Sequence, residues 1–360
     1  MIGGLDVGGS QAIVMNLYRH IDRSKVQFDF VLDHPKERFF EQEIISLGGK
    51  IYNMPSFNGK NLLFLIKQWT LFFQEHPEYH VIHSHIRSYA IIYLLVAKKF
   101  HLKTIIHSHS TSNGRGLKSL SKIILQYPLR FICNHYFACS KEAGRWLFGK
   151  KIVDSPKFTV LSNAIDVKKF TFNALLREQI RASLEINPET VVYGHVGRLH
   201  PSKNHLFLID VFAAISSRQA NSVLLLVGEG GLRSEICQHI SEKGLDDKVI
   251  MVGARDDIST LLQAFDCFIF PSKWEGFAIS VLEAQAAGLP SFISSVIPPA
   301  VNLTELVRTL DLSLSPSQWA EYILKHKNTR KDYSLDLISK GYDIGNLALW
   351  MKDFYININS

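Results

Sequence analysis

The sequence has few cysteines and no long apolar run. Only four cysteines occur in 360 residues, and none forms a Cys-x-x-Cys pair, so neither a disulfide framework nor a cysteine zinc site is expected. No stretch of about 18 uncharged apolar residues occurs, which excludes a membrane-spanning helix. The start, Met1 to Gly4, has neither the basic lead nor the apolar core of a signal peptide. These absences favour a cytoplasmic protein with reduced thiols.

Acidic residues are scarce between positions 98 and 157, where twelve Lys or Arg residues accompany only Glu142 and Asp154. The net charge of +7 therefore comes from the first half of the chain. A basic surface can attract nucleic acid, an acidic substrate or an anionic membrane. The same region contains the amphipathic segment Leu117 to Ile132, with lysines at 118 and 122. We expect this segment to lie on an anionic membrane surface, with an ordinary core helix as the alternative.

Apolar residues make up 46% of the chain and charged residues 20%, which is typical of a globular protein. A length of 360 residues is sufficient for two domains of ordinary size. Strand-like and helix-like segments alternate along both halves, with clear apolar strands at Val191 to Val196 and Cys267 to Phe270. This alternation predicts α/β domains with mostly parallel sheets and helices on both faces.

Two carboxylates flank the start of a predicted helix near residue 279. Glu275 lies in the loop before the helix, next to Gly276, and Glu283 lies about one turn inside it. Because the two are too far apart to act as a close acid–base pair, we expect them to contact two parts of one extended ligand. The helix-start amide groups between them suit a phosphate, and they belong to Phe277, Ala278 and Ile279.

A hydroxyl-rich group at each end and a diphosphate between them describe a nucleotide-sugar. The simpler alternative is that Glu283 is an exposed charge favoured by the helix dipole.

A pair of cations follows another predicted strand: Arg198 and Lys203 are five residues apart in a loop at the end of Val191 to Val196. Two cations at a strand end can hold a diphosphate, so we expect them to bind the leaving group.

A glycine-rich loop precedes the first predicted helix, Gln11 to Ile21. Gly8 and Gly9 would let the backbone approach a phosphate closely. Only Met1 and Ile2 precede this loop, so the usual first strand is expected upstream. A dinucleotide-binding fold is a rival interpretation, in which Asp33, after a predicted strand from Val26 to Leu32, would bind the ribose. The spacing Gly-x-x-x-Gly-Gly does not match the dinucleotide pattern, which makes this rival the weaker one.

Four histidines lie at the ends of two predicted strands: His83, His85, His107 and His109. Ligands bind at the carboxyl ends of parallel strands, which makes these histidines candidates for substrate contact. Two histidines spaced i, i+2 could also bind a metal ion. No carboxylate or cysteine lies near either pair in the sequence to complete the ligand set, so no metal site is expected.

The second half carries a specific combination of motifs. Pro271-Ser272 and Glu275-Gly276-Phe277 are followed by Glu283, with seven residues between Glu275 and Glu283, and then by Gly288-Leu289-Pro290. Together with Gly197-Arg198-Leu199, these motifs make the sequence similar to the retaining glycosyltransferases of family 4. The segment from Ser162 to Asp166 resembles the hinge of that family, although Ala164 replaces its glycine.

The resemblance implies the GT-B fold, in which two doubly wound domains face each other across a cleft. The expected boundaries are 1–165 for an acceptor domain, 166–342 for a donor domain, and 343–360 for a helix that returns to the first. Glu275 would contact the donor sugar hydroxyls and Glu283 the ribose hydroxyls. The strand ends at Gly228 and Gly253 would line the base and phosphate pocket. His109, with His107 as the alternative, would contact the sugar or acceptor. The catalytic residues that the resemblance implies are His109, Arg198, Lys203 and Glu275.

By resemblance, the expected reaction is transfer of a hexose or N-acetylhexosamine, with retention, from a nucleotide-sugar that is UDP-linked. The acceptor would be a lipid-linked saccharide in cell-surface polysaccharide synthesis, at the inner membrane face and with no nucleic acid involved. No Asp-x-Asp pair occurs, so neither a metal ion bridging the diphosphate nor any other cofactor is expected. A sugar-nucleotide epimerase and a non-catalytic nucleotide-sugar binding module remain the alternatives.

Overall fold

The computed structural model describes residues 1–5, 9–33, 39–109, 117–326 and 329–359. The chain divides into two compact units. Unit 1 comprises Met1–Ala164 and Gly341–Ser360, and unit 2 comprises Ile165–Lys340. The last helix of the chain therefore belongs to the same unit as the first.

Every pairing between strands in these ranges is parallel. The strands are β1 (Phe30–Leu32), β2 (Ile51–Asn53), β3 (Val81–Ser84), β4 (Lys103–Ser108), β5 (His135–Ala138), β6 (Phe158–Val160), β7 (Val191–Val196), β8 (Ser222–Val227), β9 (Val249–Met251), β10 (Cys267–Phe270), β11 (Ser291–Ser294) and β12 (Val307–Leu310).

Helices connect most of these strands. They are α1 (Gly9–His20), α2 (Glu41–Ser46), α3 (Leu62–Glu75), α4 (Ala90–Lys99), α5 (Leu117–Gln126), α6 (Leu129–Ile132), α7 (Lys141–Phe148), α8 (Lys150–Val153), α9 (Val167–Phe170), α10 (Ala174–Ser183), α11 (His205–Ser216), α12 (Arg233–Glu242), α13 (Ile258–Ala264), α14 (Ile279–Ala286), α15 (Pro316–His326), α16 (Ser334–Ser339) and α17 (Ile344–Asn359), with 3₁₀ turns at Pro201–Lys203 and Pro299–Val301.

Unit 1 contains a four-stranded sheet in the order β3-β4-β5-β6 and a separate pair, β1-β2. The first two residues of the chain contact both sheets. Ile2 forms a parallel bridge with Leu32, while the amino group of Met1 donates a hydrogen bond to the His83 carbonyl oxygen at 2.8 Å. The amide of His85 in turn donates to the Met1 carbonyl oxygen at 2.9 Å.

Two apolar cores stabilise unit 1. One is built around Trp69 of α3 and Tyr93 of α4. The other includes Tyr18 of α1 and Met351 of α17, which are fully buried. Because α17 contributes to this second core, the end of the chain is part of the unit's hydrophobic interior.

Unit 2 is organised around one six-stranded sheet in the order β12-β11-β10-β7-β8-β9. Its core includes Phe212 of α11 and Trp319 of α15, both with no exposed surface. Parallel strands place all their carboxyl ends at one edge of the sheet, and β10, β7, β8 and β9 are consecutive there. The loops that follow these four strands are therefore neighbours, and the predicted α/β architecture is confirmed.

The helix predicted as Gln11 to Ile21 is observed with slightly shifted bounds as α1, and two other predicted elements differ more from the observed ones. The helix predicted over Leu117 to Ile132 is split, because Pro128 has no backbone N–H to continue the helical hydrogen bonds; α5 ends at Gln126 and α6 begins at Leu129. The strand predicted over Val26 to Leu32 is limited to β1 at its end. In the part of the chain described, no helix has the length and apolar character required to cross a membrane.

Candidate functional site

The loop after β10 is attached to the 3₁₀ turn that follows β7. The backbone amide of Lys273 donates a hydrogen bond to the Ser202 carbonyl oxygen at 2.7 Å. Since β10 and β7 are neighbouring strands, this bond joins two loops at the same sheet edge. It brings the carboxylate predicted to bind sugar next to the lysine predicted to bind diphosphate.

Lys203 and Glu275 form an ion pair at this edge. The Lys203 Nζ lies 2.6 Å from Glu275 Oε1, and the two side chains are only 17% and 12% exposed. The same ammonium lies 4.7 Å from the centroid of the Phe270 ring, a cation–π distance. The sequence predicted separate ligand contacts for the two residues and did not predict this pairing. In a complex, each group could bind a ligand in place of its present partner. Lys203 could bind a phosphate, and Glu275 could bind hydroxyl groups.

The loops after β7 and β8 are in backbone contact. Gly228 has a φ of +143°, and a Cβ there would lie 2.1 Å from the Gly197 carbonyl oxygen, so only glycine allows this approach. The Gly228 amide also donates to the Gly253 carbonyl oxygen after β9, at 2.8 Å. The predicted glycine positions therefore lie side by side at the carboxyl ends of β7, β8 and β9.

Arg198 is exposed in the loop after β7. The next residue, Leu199, is buried and its amide donates to the Glu229 carbonyl oxygen at 2.9 Å. This bond fixes the backbone on the carboxyl side of Arg198. The guanidinium therefore projects from a defined loop at the same sheet edge as Lys203 and Glu275.

Helix α14 begins at this edge. Gly276 and Phe277 lie in the loop before it, Ala278 is its N-cap residue and Ile279 its first residue, and none of the side chains described caps this end. The first amide groups of a helix have no partner within the helix, and they carry the positive end of its dipole. An anion at the carboxyl ends of β7 and β10 would meet these amides.

Glu283 is the fifth residue of α14 and is partly buried. Burial raises the pKa of its carboxyl group to about 7, and the positive charge of Lys169 opposes this rise. A group with this pKa exchanges between its neutral and ionised forms near neutral pH. The ionisation of such a carboxyl group responds more strongly to a bound hydrogen-bond donor than the ionisation of an exposed carboxyl group would.

His109 belongs to unit 1, unlike the other three predicted catalytic residues. It follows β4, and its Nε2 lies 2.8 Å from Nδ1 of His85. Burial, with a smaller contribution from the positive charge of Arg87, lowers the pKa of His109 to about 3. The ring is therefore neutral at physiological pH and can accept or donate a hydrogen bond, but it does not carry a positive charge.

The predicted glycine-rich loop is only partly described. Gly8 lies outside the described residues, and Gly9 is the first residue of α1. Asp33, the ribose-binding residue of the rival dinucleotide interpretation, is 7% exposed and accepts a hydrogen bond from the Tyr89 hydroxyl at 2.5 Å. Because this carboxylate is buried and already hydrogen-bonded, it gives no support to the dinucleotide-binding interpretation.

Both halves of the chain match glycosyltransferase family models. Residues 7–169 match the model described as Glycosyltransferase Family 4, and residues 177–334 match Glycosyl transferases group 1. EpsF of Bacillus subtilis (strain 168), which is named as a glycosyltransferase, is 33% identical over 330 residues, covering 90% of this chain and 86% of EpsF. The UDP-Gal:alpha-D-GlcNAc-diphosphoundecaprenol alpha-1,3-galactosyltransferase of Escherichia coli is 27% identical over 250 residues, 66% of this chain and 62% of that enzyme.

Solved structures agree on the fold. The crystal structure of HepE from Anabaena in complex with UDP and glucose superimposes with a TM-score of 0.78 at 18% identity, covering 98% of this chain and 97% of HepE. WaaG, a glycosyltransferase of lipopolysaccharide biosynthesis, gives a TM-score of 0.74 at 15% identity, covering 98% of both chains. From the two family matches and the similarity to EpsF along most of its length, we conclude that the chain belongs to glycosyltransferase family 4 and has the GT-B fold.

Proposed function

We propose that this protein transfers a hexose or N-acetylhexosamine, with retention, from a UDP-linked donor to a lipid-linked saccharide during cell-surface polysaccharide synthesis. The observation that carries the proposal is the Lys203–Glu275 pair beside the start of α14. An ammonium group, a carboxylate and the first amide groups of a helix therefore lie at one edge of the sheet. This is the set of groups that a diphosphate attached to a sugar requires.

The charged groups have complementary roles in the proposed donor complex. The guanidinium of Arg198, the ammonium of Lys203 and the first amides of α14 neutralise the diphosphate as it leaves, without a metal ion or other cofactor. Glu275 accepts hydrogen bonds from sugar hydroxyls, and Glu283 accepts them from the ribose. The carboxylate contacts position the anomeric carbon, while the contacts of the cations and amides with the diphosphate strengthen as negative charge grows on the leaving group.

Retention requires the acceptor to attack from the face that the diphosphate leaves. In the proposed step, the bond between the anomeric carbon and the diphosphate oxygen breaks while a bond to the acceptor oxygen forms. The acceptor proton passes to an oxygen of the departing diphosphate. His109 acts as a neutral hydrogen-bonding group toward the sugar or the acceptor, which fits its lowered pKa.

The substrate classes are supported by the names of related proteins. The Escherichia coli relative is named for a UDP-galactose donor and a diphosphoundecaprenol-linked acceptor, and a Campylobacter jejuni relative is named for a diphospho-undecaprenol-linked acceptor. HepE was crystallised with UDP-glucose. A Staphylococcus aureus relative is named for capsular polysaccharide biosynthesis. These names favour a UDP-sugar and a polyprenyl-linked saccharide over the other classes.

A substrate panel tests the proposal. We expect one UDP-sugar to raise the melting temperature of the protein, because ligand binding stabilises the native state, and to release UDP only when a lipid-linked saccharide is added. The product anomer, followed by NMR, should have the configuration of the donor. Epimerisation of the donor without acceptor would support the epimerase alternative, and binding without turnover on any acceptor would support a binding module.

An exposed apolar surface in unit 1 fits an acceptor in a membrane. Four side chains are each at least 50% exposed: Ile123 and Ile124 near the end of α5, Tyr127 just after it, and Phe131 of α6. Lys122 beside them is also exposed. Exposed apolar side chains with neighbouring lysines are typical of helices that bind anionic lipid surfaces. We propose this surface as the contact with the inner membrane face.

Replacing both Ile124 and Phe131 with glutamate should weaken binding to anionic phospholipid vesicles by about tenfold or more, since each loses the burial of a large apolar side chain. Vesicle sedimentation measures the effect. Leu335→Glu is the matched control, because Leu335 is 79% exposed in unit 2. Binding that does not respond to salt, no binding at all, or equal losses in both variants would contradict a membrane role for this surface.

A further inference from the structure

The two histidine pairs of unit 1 meet on one face of its sheet. Strands β3 and β4 are adjacent and parallel, and their register places His83 opposite Ile105. Since side chains alternate between the two faces of a strand, the next residue on the same face, His85, is level with His107. The ring centroids of His83 and His85 are 4.4 Å apart, and those of His85 and His107 are 5.3 Å apart.

The hydrogen bonds of this cluster leave nitrogen atoms without partners. Nδ1 of His83 lies 2.6 Å from the Tyr355 hydroxyl, and Nδ1 of His85 lies 2.8 Å from Nε2 of His109. Nε2 of His83 is buried with no hydrogen-bond partner among the described residues, and the same holds for both ring nitrogens of His107, which is 1% exposed. Buried polar atoms are normally paired, so these need an explanation.

We propose that His83, His85 and His107 bind one divalent transition-metal ion, of which Zn²⁺ is the best fit. One ring nitrogen from each residue can be chosen so that all three lie within 4.8 Å of one another. Zinc binds histidine nitrogen at about 2.0–2.1 Å, often with three protein ligands and a fourth position open to water. Small side-chain rotations would bring the three nitrogens to these distances.

The surroundings of the three rings match those of histidines that bind metals. Such histidines usually hold their second nitrogen in a hydrogen bond that orients the ring. The Tyr355 hydroxyl does this for His83, and His109 does it for His85. Both contacts are made by Nδ1, so Nε2 is the nitrogen of His83 and His85 that would bind the ion. Nε2 of His83 and both nitrogens of His107 are buried without a partner among the described residues.

Access also favours a metal ion. The three residues line a cavity of about 600 Å³ in unit 1, which provides a route for an ion. Imidazole ligands favour zinc, nickel or copper over magnesium and calcium.

Zinc titration of the full-length, chelator-treated protein tests this site without measuring sugar transfer. We expect one Zn²⁺ per chain by calorimetry and elemental analysis, a raised melting temperature, and a tetrahedral absorption spectrum with Co²⁺; Mg²⁺ should have no effect. His107→Gln and His83→Gln should each weaken zinc binding more than tenfold. His83 is only partly buried, so its variant keeps the test available if His107→Gln does not fold.

His205 provides the matched control. It lies in unit 2, is 2% exposed, and both of its ring nitrogens lack partners among the described residues, so it resembles His107 in burial and in its unpaired nitrogens but not in its neighbours. His205→Gln should bind zinc like the parent protein. The proposal is overturned if the parent takes up no stoichiometric zinc, or if folded His83→Gln and His107→Gln variants bind it as tightly as the parent. An equal loss in His205→Gln would also overturn it.

Discussion

Replacing Lys203 with methionine is expected to lower kcat for sugar transfer by about a hundredfold to a thousandfold, the usual effect of removing one preorganised group that stabilises transition-state charge. Methionine keeps an apolar side chain of similar length and removes the ammonium, which lies 4.7 Å from the Phe270 ring. Initial-rate measurements with a UDP-sugar and a lipid-linked saccharide would give the value. A folded variant with full turnover would contradict the role assigned to Lys203.

Stability must be measured with turnover, because Lys203→Met leaves Glu275 unpaired at only 12% exposure. Breaking a buried ion pair by removing one partner costs up to about 3–5 kcal/mol. The double variant Lys203→Met with Glu275→Gln should recover much of that loss, since no charge is then left unpaired, while transfer stays impaired. If the double variant also recovered turnover, the pair would have a structural role only.

Replacing Glu283 with glutamine is expected to stabilise the protein above pH 7. The carboxyl pKa is raised by burial from 4.5 to about 7, so between these values the folded state holds a proton that the unfolded state has lost. Stability from this residue is therefore greatest below pH 4.5 and falls as pH rises toward 7. At about 1.4 kcal/mol per pKa unit, the cost removed by glutamine above pH 7 is at most about 3 kcal/mol.

Urea denaturation at several pH values would measure this effect. Glu178→Gln is the control, because Glu178 is an exposed helical glutamate of the same unit and its replacement should change stability little.

The affinity for the donor should change with pH in the direction opposite to the change in stability. The parent protein should bind donor more weakly as pH falls below 7 and Glu283 becomes protonated, and Glu283→Gln should bind weakly at every pH. Strong, pH-independent donor binding by Glu283→Gln would contradict its contact with the ribose.

The apolar runs of the sequence were sufficient to predict several elements of unit 2. Val191 to Val196 and Cys267 to Phe270 are observed with the predicted bounds, because buried parallel strands are apolar on both faces and end at glycine or proline. The predicted helix from Leu117 to Ile132 was less accurate. Its apolar pattern continues across Pro128, but the missing N–H of proline interrupts the helix.

Contacts between distant loops could not be predicted in the same way. Lys203 and Glu275 are 72 residues apart, and their pairing depends on β10 lying next to β7. The meeting of the histidine pairs likewise depends on β3 lying next to β4 in a particular register. Within the sequence each pair lacked a third ligand, which is why no metal site was predicted. The third histidine lies on or next to the neighbouring strand, so its position depends on strand order and register, which the sequence pattern does not reveal.

The binding of UDP by the Lys203→Met variant tests the central claim most directly, because it concerns the diphosphate alone. Calorimetric titration should show affinity reduced by about tenfold or more, the usual loss of a hydrogen bond to a charged group. Lys243→Met is the matched control: Lys243 pairs with Asp210 at 2.7 Å in the same unit and precedes β9, so it lies away from the carboxyl edge and UDP affinity should be unchanged. If folded Lys203→Met bound UDP as tightly as the parent, the diphosphate site would not be at the Lys203–Glu275 pair.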